Sequence, residues 1–330
     1  MKKIIAEIGS SHDGSFGNAM KLIEEAKKCG ADFVKFQHHI AEFESLPNAP
    51  SPSYFKSEDR FEYFRRTSFD LEQLGTLKKL TEKLGMNFMV SPFSEEALDI
   101  LKKLNVKFYK IASGEVTNHR LLEKLNKTKK KIFMSTGMSS WKEIDKAVKI
   151  LDKQKTVIMQ CSSIYPCPEK NVGLNILKEL KKKYCMTIGF SDHYLGFEAG
   201  LAAAALGAEV IEKHITFSRK MYGSDASNAM EINEFKKYVS GIRSVWMMNE
   251  NPVDKNNIKI YKDIKKIFEK SIVIKKNLPK NHKIKLEDLA FKKPGDGIPA
   301  MNYKSIIGRR LKYSINENTK LKKKIYEKKD

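Results

Sequence analysis

Over the first 250 residues one unit recurs eight times: a short, β-rich apolar run followed by a longer segment of helical period. The apolar runs cover residues 4–8, 33–37, 88–91, 107–111, 132–135, 157–161, 187–191 and 210–214. The helical segments follow at 19–29, 71–84, 95–104, 121–125, 141–151, 174–184, 197–206 and 232–248. Eight strand–helix units in about 250 residues match an α/β fold of the TIM (β/α)8-barrel type. An open doubly wound sheet is the alternative, but no Gly-x-Gly-x-x-Gly opens the first unit. The alternation stops in the polar, turn-rich stretch NENPVDKNN. From Ser271 the chain reads as short strands and turns, a piece of roughly 60 residues that is marginal alone and expected to dock on the barrel. The expected organisation is a barrel at 1–250, a linker at 251–268 and a small, mainly β domain at 269–330.

Within the barrel the connection from Gln37 to about Phe69 is long and rich in Pro and Ser (LPNAPSPSYF). Loops of this length at the catalytic end of a barrel cover or build a site.

Composition excludes several classes. No apolar run approaches the roughly 20 residues of a membrane span. The opening MKKIIAEIGSSHDG reaches charged and polar residues too soon for a signal peptide, so a cytoplasmic protein without a membrane partner is expected. The four cysteines (Cys29, Cys161, Cys167, Cys185) match no metal or disulfide spacing and read as free, mostly buried thiols. The net charge of +22 raises the question of nucleic acid. Yet residues 251–330 carry 23 Lys/Arg against 9 Asp/Glu, a net +14, leaving +8 for the rest. That excess is nearly all lysine, ending in a ragged tail (Lys322, Lys323, Lys324, Lys328, Lys329). Without an Arg/aromatic recognition patch it reads as solvated surface, and no nucleic-acid partner is expected.

The chemistry gathers at the strand ends. Barrel strands face a packed interior, so charges belong only where strands emerge. Here nearly every strand ends in polar residues: Glu7, Lys35 with Gln37, Ser91, Lys110 with Ser113 and Glu115, Ser135, Gln160, Ser191 with His193, and Glu212 with His214. His193 and His214 end neighbouring strands, with Asp192 and Glu212 beside them, and can bind one divalent metal while leaving positions open for substrate. Both must be neutral to do so, which predicts loss of metal below about pH 6. Lys35 and Lys110 are two buried ammonium groups that need anions. A phosphorylated carboxylate would satisfy both, with Ser91, Ser113, Ser135 and Ser191 on its phosphate. A lysine that forms a Schiff base, as in an aldolase, is the competing use. His38 and His39 follow Gln37 and could touch substrate.

At these residues the chain resembles the N-acetylneuraminate (sialic acid) synthase family. The stretches that carry the likeness are AEIGSSHDG, KFQ, SPFS, YKIASGE, STGM, CSSIYP, GFSDH, ALGAEVIEKHIT and GSD. The tail, SIVIKKNLPKNHKIKLEDLAFKKPGDGIPAMNYKSIIGRRL, resembles that family's C-terminal antifreeze-like (SAF) domain. The likeness covers nearly the whole chain in order and spacing.

The resemblance implies a transferase that joins phosphoenolpyruvate to an open-chain N-acetylated amino hexose such as N-acetylmannosamine. The product would be a nine-carbon 2-keto acid, with phosphate released. Acceptors of the legionaminic or pseudaminic type, which are diacetamido-trideoxyhexoses, are the alternatives. It implies a divalent cofactor on His193 and His214, Mn2+ first, with Mg2+ or Co2+ as alternatives. Lys35, Gln37, Ser91, Lys110, Ser113, Ser135 and Ser191 fall on phosphoenolpyruvate-binding positions. Glu7, Glu115 and Asp225 fall on catalytic positions that manage the sugar and its protons. Tyr165, Ser163 and Lys293 fall on sugar-binding positions. A domain-swapped homodimer, in which the small domain of one subunit covers its partner's barrel mouth, is also implied. There are departures. The usual Asn-His of the first loop is Ser11-His12, an expected Asn is Ser163, and the arginine common before the Pro-Gly turn is Lys293. Lys293 keeps charge but loses a bidentate donor.

Overall fold

The computed structural model describes residues 2–52 and 57–326. Residues 53–56 of the long connection, and Lys328 and Lys329 of the basic tail, lie outside them. The chain divides into two units, Met1–Asn251 and Pro252–Asp330.

The first unit is a closed, parallel, eight-stranded barrel with helices in between. Its strands are β1 (Lys3–Glu7), β2 (Phe33–His38), β3 (Asn87–Pro92), β4 (Phe108–Ile111), β5 (Lys131–Ser135), β6 (Thr156–Cys161), β7 (Thr187–Asp192) and β8 (Val210–Thr216). Each pairs with the next, and β1 pairs with β8, with Glu7 opposite His214, which closes the ring. The expected TIM barrel is therefore observed.

Strand side chains alternate between two environments. Ile4, Ala6, Val34, Phe36, Phe88, Val90, Ile132, Met134, Ile158 and Ile211 pack outward against the helices. Ile5, Phe33, Met89, Phe133, Val157, Met159 and Val210 pack together inside the barrel as a separate cluster. Phe33 is the centre of this plug, its ring 4.9 Å from Phe108 and 5.8 Å from Phe133. Burying each such side chain contributes about 1.5–3 kcal/mol. The plug seals one end, so polar side chains two residues further along the same inward phase collect at the other.

Caps fix where the helices begin. Ser15 opens helix Phe16–Cys29, and Gly30, at φ 88°, closes it. Asp70 with Gln73, and Ser140 with Glu143, form reciprocal capping boxes on helices Leu71–Lys83 and Trp141–Ile150. The long connection, read from sequence as loop, holds a short helix, Ala41–Glu44, and helix Arg60–Thr67. The second buries only Tyr63 and Thr67 and depends on Asp59, whose carboxylate accepts from the Phe61 and Glu62 amides. With so little apolar periodicity it left no mark in the sequence pattern.

In the second unit, strand Ser271–Ile274 pairs antiparallel with Leu289–Lys292 over a small core that includes Ile272, Ile274, Ile284, Leu311 and Leu321. The stretch expected as linker carries helix Lys262–Phe268. Three cysteines are buried, and Cys185 is exposed. Among the described residues no helix is long and apolar enough to cross a membrane.

Candidate active site

The inward phase of each strand delivers its last polar side chain to one cavity of about 370 Å³. From β1 comes Glu7, from β2 Lys35 and Gln37, from β3 Ser91, from β4 Lys110, and from β5 Ser135. Cys161 comes from β6, Ser191 from β7, and Glu212 with His214 from β8. His193, Ser113, Ser163, Tyr165 and Asp225 join them from the loops that follow the strands. Glycines make room for this crowding. A Cβ on Gly137 would stand 2.2 Å from Ser163 Oγ and 2.7 Å from Ser113 Oγ, so only glycine lets those hydroxyls approach.

The floor is an ion cluster. Glu212 Oε1 accepts from Lys110 Nζ at 2.6 Å, from Ser191 Oγ at 3.0 Å and from Lys35 Nζ at 3.1 Å. Lys35 Nζ also lies 3.3 Å from Glu7 Oε1. All four charged groups are buried. Burial opposes the charge on Glu212, but Lys110 and Lys35 outweigh it and hold the carboxyl well below its ordinary range. Burial equally opposes the Lys35 ammonium, which Glu212 and Glu7 hold above the lysine range. Lys110 is pulled below its ordinary value by burial, because it must share Glu212 with the like charge of Lys35. Burial pushes Glu7 up to about 7 against the pull of Lys35. When Glu7 is protonated the floor carries two ammonium groups and one carboxylate. The anions that the sequence required for both lysines are supplied in part by Glu212, and one positive charge is then left over. Glu7 Oε2, Glu212 Oε2, Ser91 Oγ and Ser135 Oγ are buried with no hydrogen-bond partner, which buried polar atoms rarely tolerate.

The two imidazoles stand at the rim of this floor with ring centres 5.6 Å apart. His193 Nδ1 donates to the Ser162 carbonyl at 2.6 Å, and Nε2 accepts from the Tyr165 hydroxyl at 3.0 Å. A backbone carbonyl on Nδ1 fixes the tautomer that presents Nε2 to a metal. His214 Nδ1 is buried without a hydrogen-bond partner, 3.7 Å from Asp225 Oδ2. Burial lowers His214 to about 4, so its ring is neutral. Burial also acts to lower His193, but Cys161 and the Ser162 carbonyl outweigh it and raise its pKa. The neutral His214 ring, with His193 once it has given up its proton, fits a divalent ion. Among the described residues no group of three or more His, Cys, Asp or Glu could hold one, so substrate or water must complete its shell.

Gly9, at φ 52°, turns the first loop toward Asp225. A Cβ there would stand 2.3 Å from Asp225 Oδ2 and 3.3 Å from Glu7 Oε1. Its neighbour Ser10 donates its backbone N–H to Asp225 at 2.7 Å.

Several residues expected at the mouth are elsewhere. Glu115 does not line the cavity, because its carboxylate is turned to Asn118 Nδ2, which donates to it at 2.8 Å. Lys293 belongs to the second unit, where its ammonium lies 4.9 Å from the Phe268 ring. Gln160 and Asp192 sit on the outward phase. Gln160 donates to the Val172 carbonyl, and Asp192 accepts from Lys213 and Tyr238. His38 also faces outward, both ring nitrogens buried without a partner. Sequence reasoning gave no role to Cys161, Arg60, Phe64 or Phe93, all of which line the cavity. Only Cys161 had a signal, two residues beyond Met159 on the inward phase.

The fold and mouth together define a (β/α)8-barrel protein with a buried cluster of two lysines on one carboxylate and an imidazole pair at the strands' C-terminal ends. The chain belongs to the NeuB family, whose model matches residues 22–254, and a SAF domain model matches residues 269–324. An uncharacterised protein of Methanocaldococcus jannaschii is 38% identical over 319 residues, covering 96% of this chain and 91% of that one. The N,N'-diacetyllegionaminic acid synthase of Campylobacter jejuni is 36% identical over 321 residues, covering 94% and 96%. The crystal structure of the sialic acid synthetase of Leptospira borgpetersenii, in complex with citrate, superposes with a TM-score of 0.71 at 30% identity, covering 80% of this chain and 90% of that one. The family likeness drawn from the motifs is borne out.

Proposed function

We propose that this chain condenses phosphoenolpyruvate with an open-chain N-acetylated amino hexose, giving a nine-carbon 2-keto acid and inorganic phosphate. The observation that carries the reading is the floor: two buried ammonium groups share one carboxylate beside unpartnered serine hydroxyls. A compact, multiply charged phosphate ester with a carboxylate matches that surplus. Lys35 and Lys110 bind its two anionic groups, and Ser91, Ser113, Ser135, Ser191 and the Gln37 amide complete the contacts. The reading is further supported by relatives named as legionaminic and N-acetylneuraminate-9-phosphate synthases.

A divalent ion on His193 and His214, with Mn2+ favoured over Mg2+ or Co2+, would supply Lewis acidity to the sugar's carbonyl oxygen. The chain's own groups do the rest. Lys35 and Lys110 hold the enol phosphate with C3 facing the aldehyde carbon, so that the new C–C bond forms in near-attack geometry. Positive charge then develops at C2, over Glu212. Glu7 Oε2 delivers a proton to the nascent alkoxide, a task suited to a carboxyl brought to about 7. Water adds at C2 and its proton returns to the Glu7 carboxylate, and the tetrahedral species expels phosphate, which takes the proton of the C2 hydroxyl as the keto group forms. Asp225, Tyr165 and Ser163 orient the sugar.

Phosphate release is measured with phosphoenolpyruvate and N-acetylmannosamine, or a diacetamido-trideoxyhexose of the legionaminic or pseudaminic type. Release that needs one of these sugars is expected, and none with any sugar refutes the reading. Lys110→Ala should raise KM for phosphoenolpyruvate. Because burial lowers Lys110, a Schiff-base aldolase is the second reading. Borohydride trapping with a keto acid labels the chain only in that case. A homodimer with Lys293 serving the partner's mouth, and a cytoplasmic location, follow from the family likeness as part of the proposal. Sedimentation tests the first.

A further inference from the structure

Beyond Glu7 the ion cluster continues outward as a hydrogen-bonded chain, of which the mechanism above uses only the Gln37 amide. Gln37 Nε2 donates to Glu7 Oε1 at 2.8 Å. Gln37 Oε1 lies 2.9 Å from His39 Nε2, and His39 Nδ1 lies 2.9 Å from each Glu44 oxygen. The His39 ring is held between Phe64 and Phe93, with centres 3.9 Å and 4.1 Å away and planes tilted by 11° and 21°. The side chains of His39 and Glu44 are only 7% and 5% exposed.

Donor counting fixes the arrangement. A primary amide has a donor end and an acceptor end, and the network decides which faces where. Glu7 Oε1 also faces the Lys35 ammonium at 3.3 Å, so it accepts whether or not Oε2 holds a proton, and the NH2 of Gln37 must face it. The carbonyl of Gln37 then faces His39 Nε2, which must carry a hydrogen. Nδ1 faces a carboxylate and must carry one too. The ring is therefore an imidazolium with Glu44 as its counter-ion, and the two aromatic faces favour a cation between them. The opposite amide orientation requires a proton on Glu7 Oε1, the oxygen that faces Lys35, and a neutral His39.

We propose that His39, charged by Glu44 and clamped between Phe64 and Phe93, is a positioning residue that orients the Gln37 amide and through it sets the rotamer of Glu7. Its effect on turnover rests on the condensation proposed above, whereas the protonation of the ring does not.

The test uses the full chain with 15N-labelled histidine, the His39 signals being assigned by their loss in His39→Phe. Two protonated ring nitrogens are expected in the wild type, the same in Glu44→Asp, and one in Glu44→Gln. A singly protonated His39 in the wild type overturns the proposal. In kinetics, His39→Phe keeps the ring stack and should lower kcat by about tenfold to hundredfold, the cost of misplacing a reacting group. KM for phosphoenolpyruvate should rise by less than kcat falls, because Lys35, Lys110 and Glu212 are untouched and only the Gln37 contact is disturbed. Glu44→Asp should restore most of the kcat that Glu44→Gln loses. Wild-type kcat in His39→Phe, or a parallel rise in KM for phosphoenolpyruvate, also overturns it. Should no sugar support phosphate release, the condensation fails while the nitrogen signals still decide the orientation of the amide.

Discussion

Replacing Glu212 with Gln tests the floor most directly. The amide keeps the size of the carboxyl and one acceptor oxygen, but removes the charge that Lys35 and Lys110 share at 3.1 Å and 2.6 Å. Removing one partner of a buried ion pair costs about 3–5 kcal/mol, and the retained acceptor argues for the lower end, about 3 kcal/mol. In a unit of this size each kcal/mol moves Tm by about 2–4 °C, so a fall of about 6–12 °C is expected. The variant also carries one more unneutralised positive charge, so phosphoenolpyruvate should raise its Tm more than it raises that of the wild type. The pH dependence has a definite sign. Glu212 is held below the ordinary carboxylate range, so its contribution is present above that range and lost as pH falls through its folded value. The variant should lack this acid limb. Scanning calorimetry with and without phosphoenolpyruvate, at low ionic strength, reads all three effects. A Tm within about 2 °C of wild type, or no greater stabilisation by the ligand, would refute the idea that Glu212 is a stand-in for substrate charge.

Other perturbations probe the remaining groups. Glu7 is raised to about 7 from 4.5, so the folded chain holds an extra proton between those values and stability falls as pH rises through that window. Glu7→Gln should therefore melt higher than wild type at pH 8 while losing about a hundredfold or more in kcat; equal melting points would remove the burial argument. Gly9→Ala places a Cβ 2.3 Å from Asp225 Oδ2 at φ 52°. It should cost about 1–3 kcal/mol by denaturant titration and nearly all turnover, and wild-type kinetics would show that the loop does not set Asp225. Metal content measured across pH should fall as His193, raised above the ordinary imidazole value, takes up a proton. Loss confined to the region near pH 4, where His214 titrates, would assign the limiting ligand wrongly.

Why some of these groups were legible in the sequence and others were not comes down to phase and closure. Eight apolar runs alternating with helices pointed to a parallel sheet covered on both faces, and their number and span, with no Gly-x-Gly-x-x-Gly in the first unit, favoured the closed barrel over an open sheet. The strand ends were legible as a set, but not which of two adjacent polar residues faces inward. That choice is a single shift of one residue. It separates Gln37 from His38, Cys161 from Gln160, His193 from Asp192, and Glu212 from Lys213. The plug residues carry the phase: Phe33, Val157 and Val210 lie on the inward face, and stepping by two from each reaches Lys35 and Gln37, Cys161, and Glu212 and His214. The partnership of Glu212 with Lys35 and Lys110 could not be read this way. It joins β8 to β2 and β4, residues 177 and 102 apart in sequence, and exists only once the ring has closed. The rim was harder still, since His39, Arg60, Phe64 and Phe93 come from connections with no period, ordered by a single Asp59 cap and a few aromatic contacts. Closure also accounts for the chemistry. Two lysines could neutralise two carboxylates and leave nothing for a substrate, but one of those carboxylates, Glu7, sits where burial brings it to about 7. On the proposed condensation, Glu7 would leave its ionic role as an anion binds the same lysines, with its proton available to the new alkoxide.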